Sequence, residues 1–465
     1  MKEIRVKDLL EVCKNSKLLC GNKEEICQNF SKDTRTIQEG DVYVGIKGER
    51  FDGNQFYPEA IQNGAKVCIL QDVTLTQEEI EKYSKCAIIL VEDTIQALQE
   101  IAKKKRSLYS IPVVAITGSV GKTSTKDMIA SVLGQKFRVL KTEGNLNNHI
   151  GLPMTILRLQ QEEALVVEMG MNNAGEIRVL TNIAKPTVAV ITNVGTSHIG
   201  NLGSRENILK AKLEILEGLS EDGVIVINHD NDLLRKWYEE NQKTQTHPII
   251  TYGIQEKSDV MAQNIQLQEN GSKFTAVYEN EKIEIEVPVA GEHFVSNSLC
   301  AISVAKIFQE EKEKIQQGIK NFELTKRRMD VQQVGKYTVI NDCYNANYDS
   351  MKAAIEYLGS TKKENKIAIL GDMLELGEYS EELHKKVGEE IVKNKIDILI
   401  TVGFFSQYIN EVAKDCKNVH CQTREEAIEM AKKFMKPNSS ILIKASNSMK
   451  FDEIANELTE YLKNL

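Results

Sequence analysis

At 465 residues, 41% of them hydrophobic and 27% charged, the chain exceeds what one hydrophobic core organises; its length fits two to four domains, and three are expected. The composition is that of a globular protein, and a formal charge of −8 excludes an overall basic field that would gather nucleic acid, so no nucleic-acid partner is expected. No stretch is apolar over the length of a bilayer and the first residues carry no apolar signal core, which points to a cytoplasmic location without a membrane span.

Short apolar runs at 41–46 and 65–70, with a helical stretch at 56–63 between them, predict a small α/β module at the N-terminal end. A helix follows over 95–108. It ends in Lys103-Lys104-Lys105-Arg106, and Ser110-Ile111-Pro112 after it mark a domain boundary. The basic run is expected to be a solvated helix end, with a ligand phosphate as the alternative partner. From Val113 strands alternate with helices. The runs 113–117, 164–167, 187–191 and 223–227 are near-continuous in Val and Ile, hence strands covered on both faces of a largely parallel sheet. Residues 260–287 read as shorter alternating strands, an antiparallel piece at one edge, and a helix beginning near His293 is expected to lead out of the domain. After Arg327-Arg328 the alternation restarts, with strands at 337–341, 367–370, 398–402 and 440–444 and helices near 350–358, 380–393, 425–434 and 450–463. No G-x-G-x-x-G opens this part, so a dinucleotide is not expected. The predicted fold is α/β with three domains, 1–108, 109–325 and 326–465: a central mononucleotide-binding parallel sheet lies second and a Rossmann-like domain is C-terminal.

The chemistry begins where the strand 113–117 runs into Gly118-Ser119-Val120-Gly121-Lys122-Thr123-Ser124. Glycines let the backbone turn its N–H groups toward a phosphate, Lys122 reaches the terminal phosphates, and the Thr123 hydroxyl suits a magnesium ion. The spacing G-x-x-G-K-T is two residues shorter than the common G-x-x-x-x-G-K-[ST], because Ile116 stands where the earlier glycine would be. Glu168 ends an apolar strand, and His198 lies just past another; open α/β sheets present their ligands at such ends. A carboxylate there serves to hold magnesium against phosphates, and a neutral imidazole to ligate metal or orient a carboxylate. Lys210 and Lys212 follow on a helix starting near Ser204, Lys210 reading as an ordinary solvated lysine.

Nine cysteines are scattered without a C-x-x-C pair. Cys13, Cys20 and Cys27 recur every seven residues, and Cys416, His420 and Cys421 lie close together. Neither set has zinc-site spacing with a matching second half, so reduced, buried thiols are expected.

Residues 117–123, Glu168, Thr192-Asn193 with His198, Ala211-Lys212-Leu213-Glu214-Ile215, and Gly291-Glu292-His293 with Asn297 resemble, in order along the chain, the Mur ligases, the ATP-dependent amide-forming enzymes of peptidoglycan precursor synthesis. Residues 144–153 (GNLNNHIGLP), 342–347 (DCYNAN) and 371–377 (GDMLELG) look like the member that joins D-alanyl-D-alanine to a UDP-N-acetylmuramoyl-tripeptide. The resemblance implies that domain 1–108 binds the UDP-sugar through Asp33-Thr34-Arg35 and Gly48-Glu49-Arg50-Phe51-Asp52-Gly53. It implies an ATP site of Gly118 to Ser124, Asn297, Arg328 and Asp342, and substrate contacts at Asn147, Asn148, Asn345 and Asn347. Two magnesium ions are implied, one on Thr123 and Glu168, the other on Glu168, His198 and a carbamylated Lys212; Lys122, His198 and Lys212 are the catalytic set. A monomer acting on small molecules is expected. The chain departs from the family pattern at Tyr348, where proline is usual, and at Lys444-Ala445-Ser446-Asn447, where Lys-Gly-Ser-Arg is common, so no role is carried over to Lys444, Ser446 or Asn447. The alternatives are the family member that adds the third amino acid, a folylpolyglutamate synthetase, and an ATPase of movement or regulation. The Asp-Asn-Pro-Arg-like segment of the diaminopimelate-adding member is not found in the last domain.

Overall fold

In the computed structural model, which describes residues 3–48, 51–268 and 271–465, the strands fall into four sheets. Glu49 and Arg50, part of the expected UDP-sugar segment, lie outside the described residues. The N-terminal part contains β1 (Ile4–Arg5), β2 (Lys17–Cys20), β3 (Ile26–Cys27), β4 (Phe30–Ser31), β5 (Val42–Val44), β6 (Val67–Leu70) and β7 (Ala87–Leu90). β1 and β3 pair alone, and the others form a sheet in the order β2-β7-β6-β5-β4, parallel except for β2. Four helices accompany them: α1 (Val6–Val12), α2 (Tyr57–Gln62), α3 (Gln77–Lys82) and α4 (Thr94–Ser107).

Helix α4 starts where Asp93 Oδ1 accepts the N–H groups of Ile95 (2.7 Å) and Gln96 (2.9 Å), satisfying two donors that a helix start leaves free. Its basic end is not the solvated run that the sequence predicts. Lys105 and Arg106 are buried. The Arg106 guanidinium donates to the carbonyls of Ala184 (2.8 Å), Tyr109, Lys185 (3.3 Å) and Ile111 (3.4 Å). Two of these are carbonyls at the end of the next domain's helix Glu176–Ala184, where a helix leaves acceptors free, and an arginine fork meets that need. This side chain ties the N-terminal module to the central domain.

The central sheet holds β8 (Val113–Thr117), β9 (Val139–Lys141), β10 (Ala164–Glu168), β11 (Val188–Ile191), β12 (Val224–Asn228), β13 (Ile249–Gly253), β14 (Val260–Gln268), β15 (Gly271–Tyr278) and β16 (Glu281–Val287). They run β16-β15-β14-β13-β12-β11-β8-β10-β9, parallel from β9 to β14 and antiparallel across β14, β15 and β16. The helices are α5 (Lys122–Leu133), α6 (Gly151–Leu157), α7 (Glu176–Ala184), α8 (Ile199–Leu202), α9 (Arg205–Leu213), α10 (Asp232–Asn241), α11 (Glu292–Ile307) and α12 (Lys312–Lys320). Every residue of β8 and β10 is buried, as expected for strands covered on both faces. β8 lies between β10 and β11, so the chain leaves it toward one side and later returns to the other. That reversal opens a crevice at the strand ends, where such sheets bind ligands. Helix α11 does not lead out of the domain as predicted. It is buried on nearly all sides and packs on α5 and on β13 and β14, which its Ala, Ser and Cys positions permit by close approach.

The last sheet contains β17 (Asp330–Val334), β18 (Tyr337–Asn341), β19 (Asn365–Gly371), β20 (Ile398–Val402), β21 (Lys417–Cys421) and β22 (Ser439–Lys444), ordered β17-β18-β22-β19-β20-β21 with only β17 antiparallel. Its helices are α13 (Tyr348–Ser360), α14 (Ser380–Lys393), α15 (Gln407–Val412), α16 (Arg424–Phe434) and α17 (Asp452–Lys463). The strand alternation sorts the faces: Ala368 and Leu370 join the core with α13 and α14, while Ile367 and Ile369 join another with α16 and α17.

Arg106→Ala should therefore weaken the joint between the first two domains by about 2–4 kcal/mol, because buried carbonyls lose their donor. The urea midpoint of the full chain measures this, and a midpoint equal to the wild type would remove Arg106 from that role.

Candidate active site

The phosphate loop takes its shape from the end of β11. Asn193 Oδ1 accepts from the N–H groups of Ser119 and Val120 (both 3.0 Å), and Thr192 Oγ1 donates to the Val120 carbonyl (2.8 Å). A Cβ on Gly118 would stand 1.9 Å from Thr192 Oγ1, and Gly121 has a φ of 79°, so neither position accepts a side chain without strain. Ile116 is buried within β8; the strand runs on to Thr117, and the loop begins two residues later than in the common motif. Lys122 Nζ folds back on the Gly118 carbonyl (2.8 Å). Burial lowers the Lys122 pKa, Glu168 opposes that shift, and the nearby Arg328 charge adds to it.

Glu168 ends β10 with 2% exposure. Its Oε2 accepts from Thr123 Oγ1 (2.8 Å) and its Oε1 from Asn147 Nδ2 (2.8 Å). A hydroxyl and a carboxylate side by side at the head of a phosphate loop are the hard oxygen donors a magnesium ion takes, so these residues fit the first expected ion. Asn148 serves locally, its Oδ1 accepting from Ile150 N (3.1 Å) and Gly151 N (2.8 Å) at the start of α6, and both asparagines line the cleft.

Lys212 is 1% exposed on α9. Its ammonium has no hydrogen bond or ion pair among the described residues, and its pKa is pushed well down, first by burial and second by the Lys122 charge. Lys210 is exposed, as expected. His198, at a φ of 62°, places Nδ1 2.7 Å from Glu375 Oε2 of the third domain, without the alignment of a hydrogen bond. That contact holds the Glu375 carboxyl below the usual range, against its burial. No three described His, Cys, Asp and Glu side chains are grouped to hold a metal, so a second ion at Glu168 and His198 needs a further donor. Lys212 is not among the residues that line the cleft.

The far wall comes from α11 and the third domain. Asn297 Oδ1 accepts from Thr125 Oγ1 (3.1 Å). The Arg328 guanidinium lies 3.7 Å over the Tyr344 ring, and its buried Nε has no hydrogen-bond partner among the described residues. Asp342 accepts from Met329 N (3.0 Å) and from Lys444 Nζ. The buried Lys444, to which sequence carried no role, also donates to the Asn345 carbonyl (2.9 Å) and so fixes the turn that bears Asp342 and Asn345. Asn347 caps α13, accepting from Ser350 N (2.8 Å) and donating to Ser197 Oγ. Beside Asn297, His293 is partly buried, and burial pushes its pKa down to about 4, leaving it neutral near pH 7.

These walls enclose a cleft of about 1210 Å³ that gathers the phosphate loop, Asn147, Asn148, Glu168, His198, Asn297, Arg328, Asp342, Asn345 and Asn347. Asp33, Thr34 and Arg35 do not line it. Asp33 caps a short turn and pairs with the 84%-exposed Arg35 at 2.6 Å, and Thr34 Oγ1 donates to Glu59 (2.9 Å). Sequence reasoning missed the roles of Asn193, Glu375 and Lys444, although the first two lie within segments singled out for resemblance. Of the two cysteine sets, Cys13, Cys27 and Cys421 are buried as expected, Cys20 and Cys416 are only half-buried, and His420 Nδ1 contacts Thr401 Oγ1 (2.9 Å).

Three successive stretches match family models: the Mur ligase family catalytic domain at residues 28–106, the Mur ligase middle domain at 116–305, and the Mur ligase glutamate ligase domain at 327–447. The chain is 37% identical to the UDP-N-acetylmuramoyl-tripeptide--D-alanyl-D-alanine ligase of Bacillus subtilis, over 98% of both chains. It is 32% identical to that of Escherichia coli, over 92% of this chain and 93% of the other. Among solved structures, MurF from Acinetobacter baumannii superposes with a TM-score of 0.89 at 30% identity over 99% of both chains. MurF ligase from Thermotoga maritima in complex with ADP gives 0.83 at 28%, covering 94% of this chain and 98% of that one. Mycobacterium tuberculosis folylpolyglutamate synthase, at 16% identity and a TM-score of 0.64 over 78% of this chain and 93% of that one, shares the fold alone. With relatives above 30% identity along nearly its whole length and family models matching all three of its parts, the chain belongs to the Mur ligase family.

Proposed function

We propose that this protein joins D-alanyl-D-alanine to a UDP-N-acetylmuramoyl-tripeptide, converting ATP to ADP and phosphate, and so makes the pentapeptide precursor of peptidoglycan. The observation that carries the reading is the cleft itself: a phosphate loop, a buried Glu168 and an orphaned Arg328 donor converge between two domains. Full-length similarity to ligases of that name supplies the substrates. The domains would be 1–108 for the UDP-sugar, 109–325 for ATP and 326–465 for the dipeptide, acting in the cytoplasm where ATP is available.

A carboxylate is a poor acyl donor because it repels nucleophiles and would have to expel oxide. The terminal carboxylate of the tripeptide attacks the γ-phosphorus of ATP, the bond to the β,γ-bridging oxygen breaks, and an acyl phosphate and ADP result. The dipeptide amine, having lost its proton, attacks the acyl carbon. The nitrogen of the tetrahedral intermediate gives up a second proton, the C–O bond to phosphate breaks, and the amide remains with hydrogen phosphate carrying that proton away.

The protein's task is positioning and charge neutralisation. Lys122 would swing from the Gly118 carbonyl to the β- and γ-phosphates, and Arg328 would give its free Nε to the phosphate chain. Asn297 and Asp342 would hold the nucleoside end, and Asn147, Asn148, Asn345 and Asn347 the peptide substrates. Thr123 and Glu168 would hold magnesium, which would supply positive charge against the phosphates. Lys212, whose pKa burial and the Lys122 charge push down, would add through Nζ to carbon dioxide when uncharged, forming an N–C bond and releasing one proton. The carbamate would then share a second ion with Glu168 and His198. This makes productive use of a buried lysine that otherwise only costs stability.

Phosphate release from ATP, with each component omitted in turn and the product weighed by mass spectrometry, tests the reaction. Release that requires both peptides, with a pentapeptide product, is expected; release indifferent to them would favour the ATPase alternative. Lys122→Ala should cut ligation by about 10²–10³-fold through loss of a charge-assisted phosphate contact.

A separate prediction concerns Lys212. Lys212→Ala should be inactive and partly rescued by a short carboxylic acid but not by bicarbonate, while bicarbonate should raise the melting temperature of the wild type and leave the variant unmoved. A fully active variant would remove Lys212 from the site.

A further inference from the structure

The segment 193–203, between β11 and α9, is held from two sides. Toward the phosphate loop, Gly195 N–H donates to Ser119 Oγ (2.9 Å), Ser197 Oγ donates to the Ser119 carbonyl (3.1 Å), and Asn193 accepts the Ser119 N–H. The backbone and hydroxyl of Ser119, second residue of the loop, are thus all committed to this one segment.

From the other side comes the third domain. Asp349 Oδ2 accepts both the N–H (2.8 Å) and the hydroxyl (3.0 Å) of Thr196. Asn347 Nδ2 donates to Ser197 Oγ, Gly200 N–H to the Glu375 carbonyl (3.2 Å), and the Tyr379 hydroxyl to the Gly203 carbonyl (2.7 Å). Two glycines make room for this approach. A Cβ on Gly195 would stand 2.2 Å from Asp349 Oδ2, and one on Gly200 would stand 2.7 Å from the Glu375 carbonyl oxygen.

We infer that Asp349 is a positioning residue for phosphoryl transfer: seated on Thr196, it fixes residues 195–197 and, through Ser119, sets the phosphate loop, so that ATP is reactive only while the third domain is docked. The inference rests on the ligase reading and assigns to it the contact by which one domain reports to the other. Asp349 makes two bonds to one ionised oxygen, the strong kind of hydrogen bond. It occupies the first turn of α13, where the helix dipole favours an anion. Docking therefore centres on this one acceptor oxygen, while the other contacts around it supply register. A ligase benefits directly, because an acyl phosphate made before the acceptor domain arrives is open to water.

The test is steady-state phosphate release by the full chain with both peptide substrates, for Asp349→Ala, Asp349→Asn, Gly195→Ala and the Gly195→Ala/Asp349→Ala double variant. Asp349→Ala is expected to lose about 10–100-fold in kcat while the KM for ATP moves less than about threefold. Asp349→Asn, whose amide oxygen fits the place of Oδ2, should regain most of that loss. Gly195→Ala should reproduce the defect by crowding the carboxylate, and the double variant should be no worse than the poorer single, since both act on one contact. Small-angle scattering with magnesium and a non-hydrolysable ATP analogue should show Asp349→Ala more extended than the wild type. Wild-type kcat in Asp349→Ala, no recovery in Asp349→Asn, losses that multiply in the double variant, or identical scattering would each overturn the inference. If the wild type releases no phosphate with the two peptides, the ligase reading fails instead, and the scattering comparison still decides the docking contact.

Discussion

Everything at the centre of this molecule is arranged around a shortage of negative charge. Lys122 curls onto a backbone carbonyl, and among the described residues Lys212 is buried without a counter-ion and Arg328 Nε has no hydrogen-bond partner. Glu168 already accepts from Thr123 and Asn147. Cations removed from water without partners lower their pKa or destabilise the fold. An arrangement of this kind is uncomfortable until several anionic oxygens enter. The net charge of −8 does not relieve it, because surface carboxylates are screened over about 8 Å at physiological salt.

The fold tolerates that shortage because the site sits on rigid strand ends. β8, β10 and β11 are neighbours in register, and each contributes from its C-terminal end: the phosphate loop, Glu168, and the Thr192-Asn193 pair that shapes the loop. The phosphate loop is therefore part of the sheet's hydrogen-bonded framework, and forces applied to the segment after β11 reach it without passing through a flexible linker. The N-terminal module is attached by different means, with the Arg106 fork capping α7.

Much of this was legible in the sequence, for physical reasons that also explain the failures. The Val/Ile runs of β8, β10 and β20 announce themselves because both sheet faces are covered, and their predicted bounds agree with the structure to within a residue. β17 and β21 were missed: they are edge strands carrying Asp, Gln, Lys, Asn and His, residues whose polarity protects an edge but erases the period. Helix α11 misled because a helix buried all round shows no polar stripe from which its surroundings could be read. Lys122 and Thr123 after β8 and Glu168 at the end of β10 could be singled out as candidates from local pattern alone. Asn347 and Asp349 depend on where a separate domain comes to rest, some 150 positions from Ser197 and Thr196, and no local signal encodes that.

The chain's own departure from its family pattern fits this division of labour. Proline in the first turn of a helix pre-sets the backbone and gives up a donor that has no helical partner. With Tyr348 in that place, the start of α13 is fixed instead by the reciprocal Asn347 and Ser350 cap and by the Tyr348 hydroxyl on Glu390 of α14 at 3.2 Å. Lys444 holds the preceding turn from below, through Asp342 and Asn345. The helix start that carries Asp349 to the phosphate-loop segment is thus held by side chains on three different elements. Local stiffness that proline supplies through one ring comes here from tertiary contacts, so the position and orientation of α13 are coupled to the packing of the whole third domain.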